Sequence, residues 1–421
     1  MSQYNTPGDC PRISRRALLA GGAASGVAAM MYGAWPHRAV AAVGDGSDRP
    51  RRILFASRGR AAAIDENGRG ERYIAPDVPD QVSWQWGPRF ADGRHAILLS
   101  VEGKKTWEHN VRSHLWKYDL DTGDFTELAT ENPPAVFMPA CALIDGDQRL
   151  VVNPIIDGEQ RVMTMNLDGS DQVPVTGAGD GFTYGVSVSP DQQRLAFHAT
   201  GPHEYRIFTT QIDGSDRRLV AGADGHLYFG PTWSHDGEWL LYLDCHTSGG
   251  PGHDWADLAI GRPDGSEHRV VTVGQRHWFG TSFGGPDTRG SGSNMPQWSP
   301  RENVCTFTCA LPGARTAWQY ASGRPDTDHF NREYQPELAR GGTEICLLDP
   351  LSGDVSRLTH SDPPVWDFRT TFSADGERIA FCRAAVGAAS ELWIMNTDGS
   401  DAHRLTQGYE NLGADHPVWM T

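Results

Sequence analysis

The sequence predicts an all-β protein, a seven-bladed β-propeller whose ring closes with strands from both ends of the chain. Three observations carry this expectation. A phrase of the form Pro-x-(Trp/Phe)-Ser-x-Asp-Gly recurs, followed by a short apolar strand, a second strand, an Asp-Gly-Ser-Asp turn and a third strand. Its copies lie about 45 residues apart, the spacing of four-stranded propeller blades. The composition agrees: 48 glycines, 27 prolines and 38% hydrophobic residues in a chain of 421 are too apolar for disorder and too turn-rich for a helical bundle.

The clearest copies are YGVSVSPDQQRLAFHA (184–199), FGPTWSHDGEWLLYLD (229–244) and FRTTFSADGERIAFCR (368–383), with degenerate ones at 86–100, 138–153 and 294–309. The Asp-Gly steps supply the positive φ of tight hairpins, and the flanks alternate apolar and polar residues. Full blades are expected to begin near residues 86, 138, 184, 228, 294 and 366. Ile53 to Ser57 reads as a second strand without a first, and His416 to Thr421 as a first strand without a second. Joined, with Pro417–Met420 beside Ile53–Ala56, they complete a blade and remove free sheet edges. The propeller domain is expected to span 51–421.

The segment before it reads as a targeting signal. Ile13-Ser14-Arg15-Arg16 precedes an apolar, small-residue stretch through Ala34, and Ala39-Val40-Ala41 offers a cleavage site. This is the pattern of a twin-arginine signal peptide over 1–41, followed by a linker at 42–50. The alternative is an anchor that stays attached. Export to the periplasm or the outside is expected, with no membrane span in the mature protein, because nothing after residue 45 is apolar enough. With 53 acidic side chains against 37 basic and a net charge of −16, the composition argues against nucleic acid, whose phosphates are bound by Lys and Arg. Cysteines 141, 245, 305, 309, 346 and 382 follow the cleavage site. They read as buried free thiols, with a Cys305–Cys309 bridge as the alternative.

In a propeller, ligands meet the loops at one end of the channel. Residues just before each repeated phrase, and those ending each second strand, are therefore the candidates. Tyr184, Tyr228, His198, His246 and Arg369 are the candidate catalytic groups, since His, Tyr and Arg move protons and stabilise oxyanions. His226, Asn294, Trp366 and His416 fall at equivalent places and are candidates for binding substrate. Arg289 joins them from the long segment 273–293, which with 246–256 and 313–341 is rich in Trp, Tyr, His and Arg. Asp244, His246, His253 and Asp254 offer imidazoles and carboxylates for a divalent ion, manganese, calcium or zinc. The same residues read equally as groups that order the 246–256 loop.

The stretch Leu243-Asp244-Cys245-His246-Thr247-Ser248-Gly249-Gly250-Pro251-Gly252-His253 is similar to the Cys-His-Glu-Gly-Pro-Trp-His stretch of oligogalacturonate lyases, and the repeats resemble TolB-type propeller repeats. The first resemblance implies a propeller lyase with His246 as general base. That family holds manganese through a His and a Gln-x-x-His-x-His run. The matching places here are Asn294 and Trp366-Asp367-Phe368-Arg369, so the resemblance implies that those manganese ligands are not retained. Ulvan lyases and rhamnosyl–glucuronate lyases, which use His, Tyr and Arg, look closer in mechanism. The expected activity is β-elimination at a 4-linked uronic acid in a polysaccharide or oligosaccharide, by a monomeric protein. The alternatives are a non-catalytic TolB-like binding propeller and a glycoside hydrolase using Asp244 with Asp367.

Overall fold

The computed structural model describes residues 51–57, 60–102, 113–130, 136–200, 205–246, 255–274, 276–283, 290–316, 318–320, 332–406 and 413–420. The targeting segment and linker lie outside them. Among the described residues the chain is all-β, with one short 3-10 turn at Pro336–Leu338. No helix there is long and apolar enough to cross a membrane.

Antiparallel meanders succeed one another along the chain. Gln81–Arg89, His95–Glu102, Ser113–Asp119 and Phe125–Leu128 form a four-stranded sheet in that order. The pattern repeats in Phe182–Val188, Arg194–Thr200, Tyr205–Gln211 and Arg218–Ala221. It repeats again in His226–Trp233, Leu240–His246, Trp255–Gly261 and His268–Val270. Trp366–Phe372, Arg378–Ala384, Glu391–Asn396 and His403–Arg404 make a further copy. Arg52–Ser57 pairs on one side with Arg60–Asp65 and on the other with Asp415–Trp419, from the far end of the sequence. Ile53 faces Trp419 and Leu54 faces Val418 in that pairing.

The repeated phrase has a local cause. In Ser-x-Asp-Gly the Ser234 hydroxyl donates to Asp236 (2.6 Å) and accepts from the Trp239 amide (3.0 Å), while Asp236 accepts from the Glu238 amide (2.9 Å). Ser373 and Asp375 repeat this arrangement. In Asp-Gly-Ser the carboxylate of Asp168, Asp213 or Asp398 accepts from the amide and hydroxyl of the serine two residues on. Side chains therefore satisfy the turn backbone and fix where each strand begins.

The sheets are joined through their faces. Trp298 Nε1 donates to Thr232 O of the preceding sheet's first strand, and Trp419 Nε1 donates to Thr371 O in the same way, both at 3.1 Å. Apolar clusters lie between successive sheets. One gathers Ile53, Phe55, Ala62 and Trp419 with Ala380, Leu392, Ile394 and Leu405, and so packs the first sheet against the one beginning at Trp366. Cys245, Cys305, Cys346 and Cys382 are buried free thiols and Cys309 a partly buried one. The Cys305–Cys309 bridge is thus absent, and the Cys309 thiol contacts Cys346 instead.

Trp419 is 1% exposed and both fills a core and donates across sheets. Trp419→Ala is expected to destabilise the protein by about 3–5 kcal/mol, read as a lowered urea midpoint. An unchanged midpoint would show that the C-terminal strand contributes little to the fold.

Candidate functional site

Two polar clusters stand at the first strands of the sheets. The first is built on the hairpin His226–Trp233 and Leu240–His246. Its register sets His226 opposite His246 and Tyr228 opposite Asp244. The His226 ring meets Asp244 Oδ1 through Nδ1 at 2.7 Å. Asp244 is fully buried, whereas the His226 side chain is 28% exposed. A carboxylate fixed on Nδ1 takes that N–H and leaves Nε2 as the basic nitrogen. The His226 ring stacks on Tyr228, centroids 5.6 Å apart and planes 6° apart. Behind it the Tyr242 hydroxyl meets His268 Nδ1 at 2.5 Å. Burial, with the charge of Asp244, pushes the Tyr228 phenol up to about 12.

The second cluster rests on a repeated bulge. The first strands shift register between Tyr184 and Ser187, Phe229 and Thr232, and Phe368 and Thr371. Gly185, Gly230 and Arg369 take left-handed φ at these shifts, at 60°, 57° and 52°. His416, at the corresponding place in the last strand, has φ 52°. Glycine adopts this conformation freely, whereas a long side chain there costs on the order of 1–3 kcal/mol and persists only when its surroundings hold it.

Those surroundings are visible. Arg369 Nη1 forms an ion pair with Asp415 Oδ1. The Arg369 amide donates to Asn294 Oδ1 at 2.8 Å. Asn294 Nδ2 donates to Trp278 O (2.8 Å) and Thr308 Oγ1 (2.9 Å). His277 Nε2 donates to Asn294 O at 2.6 Å, and His277 Nδ1 accepts from the Thr308 amide at 3.2 Å. Burial would raise the Asp415 carboxyl, but Arg369 and His416 together outweigh it and hold it below the usual range. Nearby, Arg383 grips the fully buried Asp367 with two bonds, 2.6 and 2.8 Å.

Several of the expected site residues are held by neighbouring groups of the protein itself. His198 is 3% exposed, accepts the Gly230 amide on Nδ1 at 3.3 Å, and is pushed by burial down to about 3. It is a neutral structural ring, not a proton carrier near neutrality. Tyr228 is 2% exposed behind His226, and its raised phenol is a poor base. Trp366 packs in the core against Trp278 in a tilted contact, centroids 4.4 Å apart, and offers no face to a sugar. Arg369 and Asn294 spend polar atoms on Asp415, Trp278 and Thr308 and act as a frame. His416 has an 8% exposed side chain, and burial with the adjacent Arg369 charge lowers it to about 4. Asp244 and Asp367, the carboxylates expected for a hydrolase, are both fully buried against His226 and Arg383. Tyr184 and His246 are placed by backbone alone, opposite His198 and His226. Arg289, His253 and Asp254 lie outside the described residues.

Sequence reasoning missed His277 and Thr308. Both depend on a cross-strand neighbour that no local pattern marks. The His226–Asp244 pair had a signal: counting back from the Asp236-Gly237 turn sets the start of one strand against the end of the next.

The residues at the places implied for manganese do not fit a cation. Both Asp367 oxygens face Arg383, Arg369 is itself positive, Asn294 is engaged, and Trp366 is in the core. Among the described residues no group of three or more His, Cys, Asp or Glu is arranged to hold a metal ion.

No family model matches the chain, and no curated protein is similar to it. Solved structures do match. An oligogalacturonate lyase from Vibrio parahaemolyticus is 12% identical, with 86% of this chain and 87% of that one covered and a TM-score of 0.53. An oligogalacturonate lyase in complex with manganese is 13% identical, with 86% of each chain covered and a TM-score of 0.51. TolB from Acinetobacter baumannii is 14% identical over 88% of this chain and 66% of that one, with a TM-score of 0.44. The class this defines is a β-propeller. In fold, the protein resembles oligogalacturonate lyases.

Two outcomes follow from the site. His198, His277 and His416 are buried with folded values of about 3, 4 and 4, below the ordinary 6.5. An unfolded chain takes up their protons below about pH 6.5 while the folded one does not, so stability is full above that pH. It should fall by up to about 1.4 kcal/mol per pH unit for each histidine as pH drops toward 4. Thermal melts at pH 7 and pH 5 test this, and equal midpoints would refute it. Separately, Arg369→Gly relieves the backbone but strands Asp415, for a net loss of about 2–4 kcal/mol. Adding Asp415→Asn should recover more than half of it. Additive losses in this cycle would show the pair to be uncoupled.

Proposed function

We propose that this protein is an exported, monomeric lyase that cleaves a 4-linked uronic acid in a polysaccharide or oligosaccharide by β-elimination. The observation that carries the reading is the Asp244–His226 pair: a buried carboxylate holding a partly exposed imidazole at the start of a propeller strand, opposite His246. The propeller is read as seven-bladed and closed by the terminal strands, which the pairing of Ile53 with Trp419 supports. His226 Nε2 removes the C5 proton, the bond from C4 to the leaving oxygen breaks, and a proton reaches that oxygen. The uronate carboxylate must be neutralised for C5 to become acidic. Because Arg369 is committed to Asp415, that charge is drawn from arginines such as Arg276 and Arg315, both exposed.

A second reading, a binding propeller without turnover, is favoured by one observation: Arg369, Asn294 and Asp367 are held by neighbouring groups of the protein itself. One experiment separates the two. The protein is incubated with a panel of uronate polysaccharides while the ultraviolet absorbance of an unsaturated product is followed. The lyase reading expects that product from at least one substrate, and His226→Ala, assayed well below its own melt because it strands the buried Asp244, should lose about 10²–10⁴-fold in turnover. Full activity in that variant with loss in His246→Ala would move the base to His246. Saturable binding without product would establish the binding propeller.

A further inference from the structure

Five free thiols are placed among the described side chains, and two of them meet. Strands Cys305–Ala310 and Thr343–Leu348 run antiparallel, with Phe307 opposite Cys346 and Cys309 opposite Glu344. Cys309 and Cys346 are therefore diagonal neighbours on one face, and their thiols are hydrogen-bonded to each other. Cys346 is 1% exposed and Cys309 partly exposed. The cations are on the same side: Arg357 is the cross-strand partner of Cys346 and pairs with Glu344, and Arg276 also acts on Cys309.

The two thiols are not alike. The hydrogen bond from Cys346, with Arg276 and Arg357, lowers Cys309 below the ordinary thiol range in spite of burial. Its partner is pushed up by the same bond and by burial. Cys305 and Cys382 are raised by burial. Thiolate, not thiol, is the nucleophile, so Cys309 is set apart as the reactive sulfur and Cys346 as the sulfur beside it.

We propose that Cys309 and Cys346 form a thiol–disulfide redox couple that responds to peroxides. The Cys309 thiolate attacks one oxygen of the peroxide, the O–O bond breaks, and the leaving oxygen takes a proton to become water. Cys309 is now a sulfenic acid. Cys346 loses its proton and attacks that sulfur, the S–S bond forms, and the sulfenic oxygen leaves as the second water. Two thiols have given up two electrons and two protons to one hydrogen peroxide.

Closure carries a geometric demand. Diagonal neighbours in an antiparallel pair sit about 7–8 Å apart, whereas a disulfide needs Cα atoms within about 6.8 Å. The strands must draw together to form the bond, which makes it easy to reduce. The movement has somewhere to go. Cys309 pairs in register with His277, and its neighbour Thr308 donates to His277 Nδ1. His277 holds Asn294, which holds the Arg369 amide. The couple is thus wired into the frame of the second cluster.

The test uses the full folded chain and does not depend on any substrate. Hydrogen peroxide is added, remaining thiols are trapped with iodoacetamide, and peptides are mapped by mass spectrometry. The expected product is a Cys309–Cys346 cross-linked peptide, lost again on treatment with dithiothreitol. Without peroxide, Cys309 should alkylate at least about tenfold faster at pH 7 than the buried Cys245, Cys305, Cys346 and Cys382, following its thiolate fraction. In Cys346→Ser, which keeps a hydrogen-bond donor beside Cys309, peroxide should leave a sulfenic acid at Cys309 that dimedone labels. Over-oxidation of Cys309 in the unmodified protein without a cross-link would overturn the proposal. So would equal alkylation rates across the cysteines. Because the first two measurements need no substitution, a misfolded variant would not decide the matter.

Discussion

The four-stranded meanders described above are apolar on both faces, and that constraint governs everything else. An antiparallel sheet with one wet face can end a structure, but one with two dry faces must be covered twice. The sheet that opens the described chain shows this. Leu54, Ala61 and Ala63 pack toward Trp84 and Trp86 on one side, while Ile53, Phe55 and Ala62 pack toward Leu392 and Ile394 on the other. The indole N–H groups of Trp298 and Trp419, which reach carbonyls of the preceding sheet, add direction to this packing. Stability and arrangement come from the same contacts.

The fold was legible in the sequence because its signals are local. Ser-x-Asp-Gly and Asp-Gly-Ser build their turns from side chains two to five residues away, so they can be read without knowing the tertiary structure. The candidate site was legible only in part. His226 and Asp244 could be paired by counting along a hairpin, although the carboxylate was expected to bind a metal instead of the imidazole. Trp366 was misjudged because a tryptophan near a strand start looks the same whether it faces a ligand or Trp278. His277 and Thr308 left no trace, since their roles arise between strands that lie far apart in sequence.

The polar groups divide by what burial does to them. Inside, burial pushes His198 and His416 toward their neutral forms and Arg383 grips Asp367, so these groups hold geometry. His226 combines a fixed partner with access to water. An imidazole in that setting can be oriented by the protein and still act on something outside it. The same contrast separates Cys309 from the sealed thiols of Cys305 and Cys382.

The left-handed bulge gives the strands carrying Gly185, Gly230, Arg369 and His416 an equivalent address, and neighbouring bulk decides which addresses are open to a side chain. At Arg369 and His416 they are occupied. At Gly185 a Cβ would lie 2.5 Å from the His198 ring, which is held by its bond to the Gly230 amide. At Gly230 the obstacle is only the end of the Met295 side chain, 2.0 Å from a Cβ. The difference between these positions is therefore partly a matter of one flexible methionine. A shorter residue at position 295 would turn Gly230 into a vacant seat at the place equivalent to Arg369, where a new functional group could be installed without redrawing the backbone.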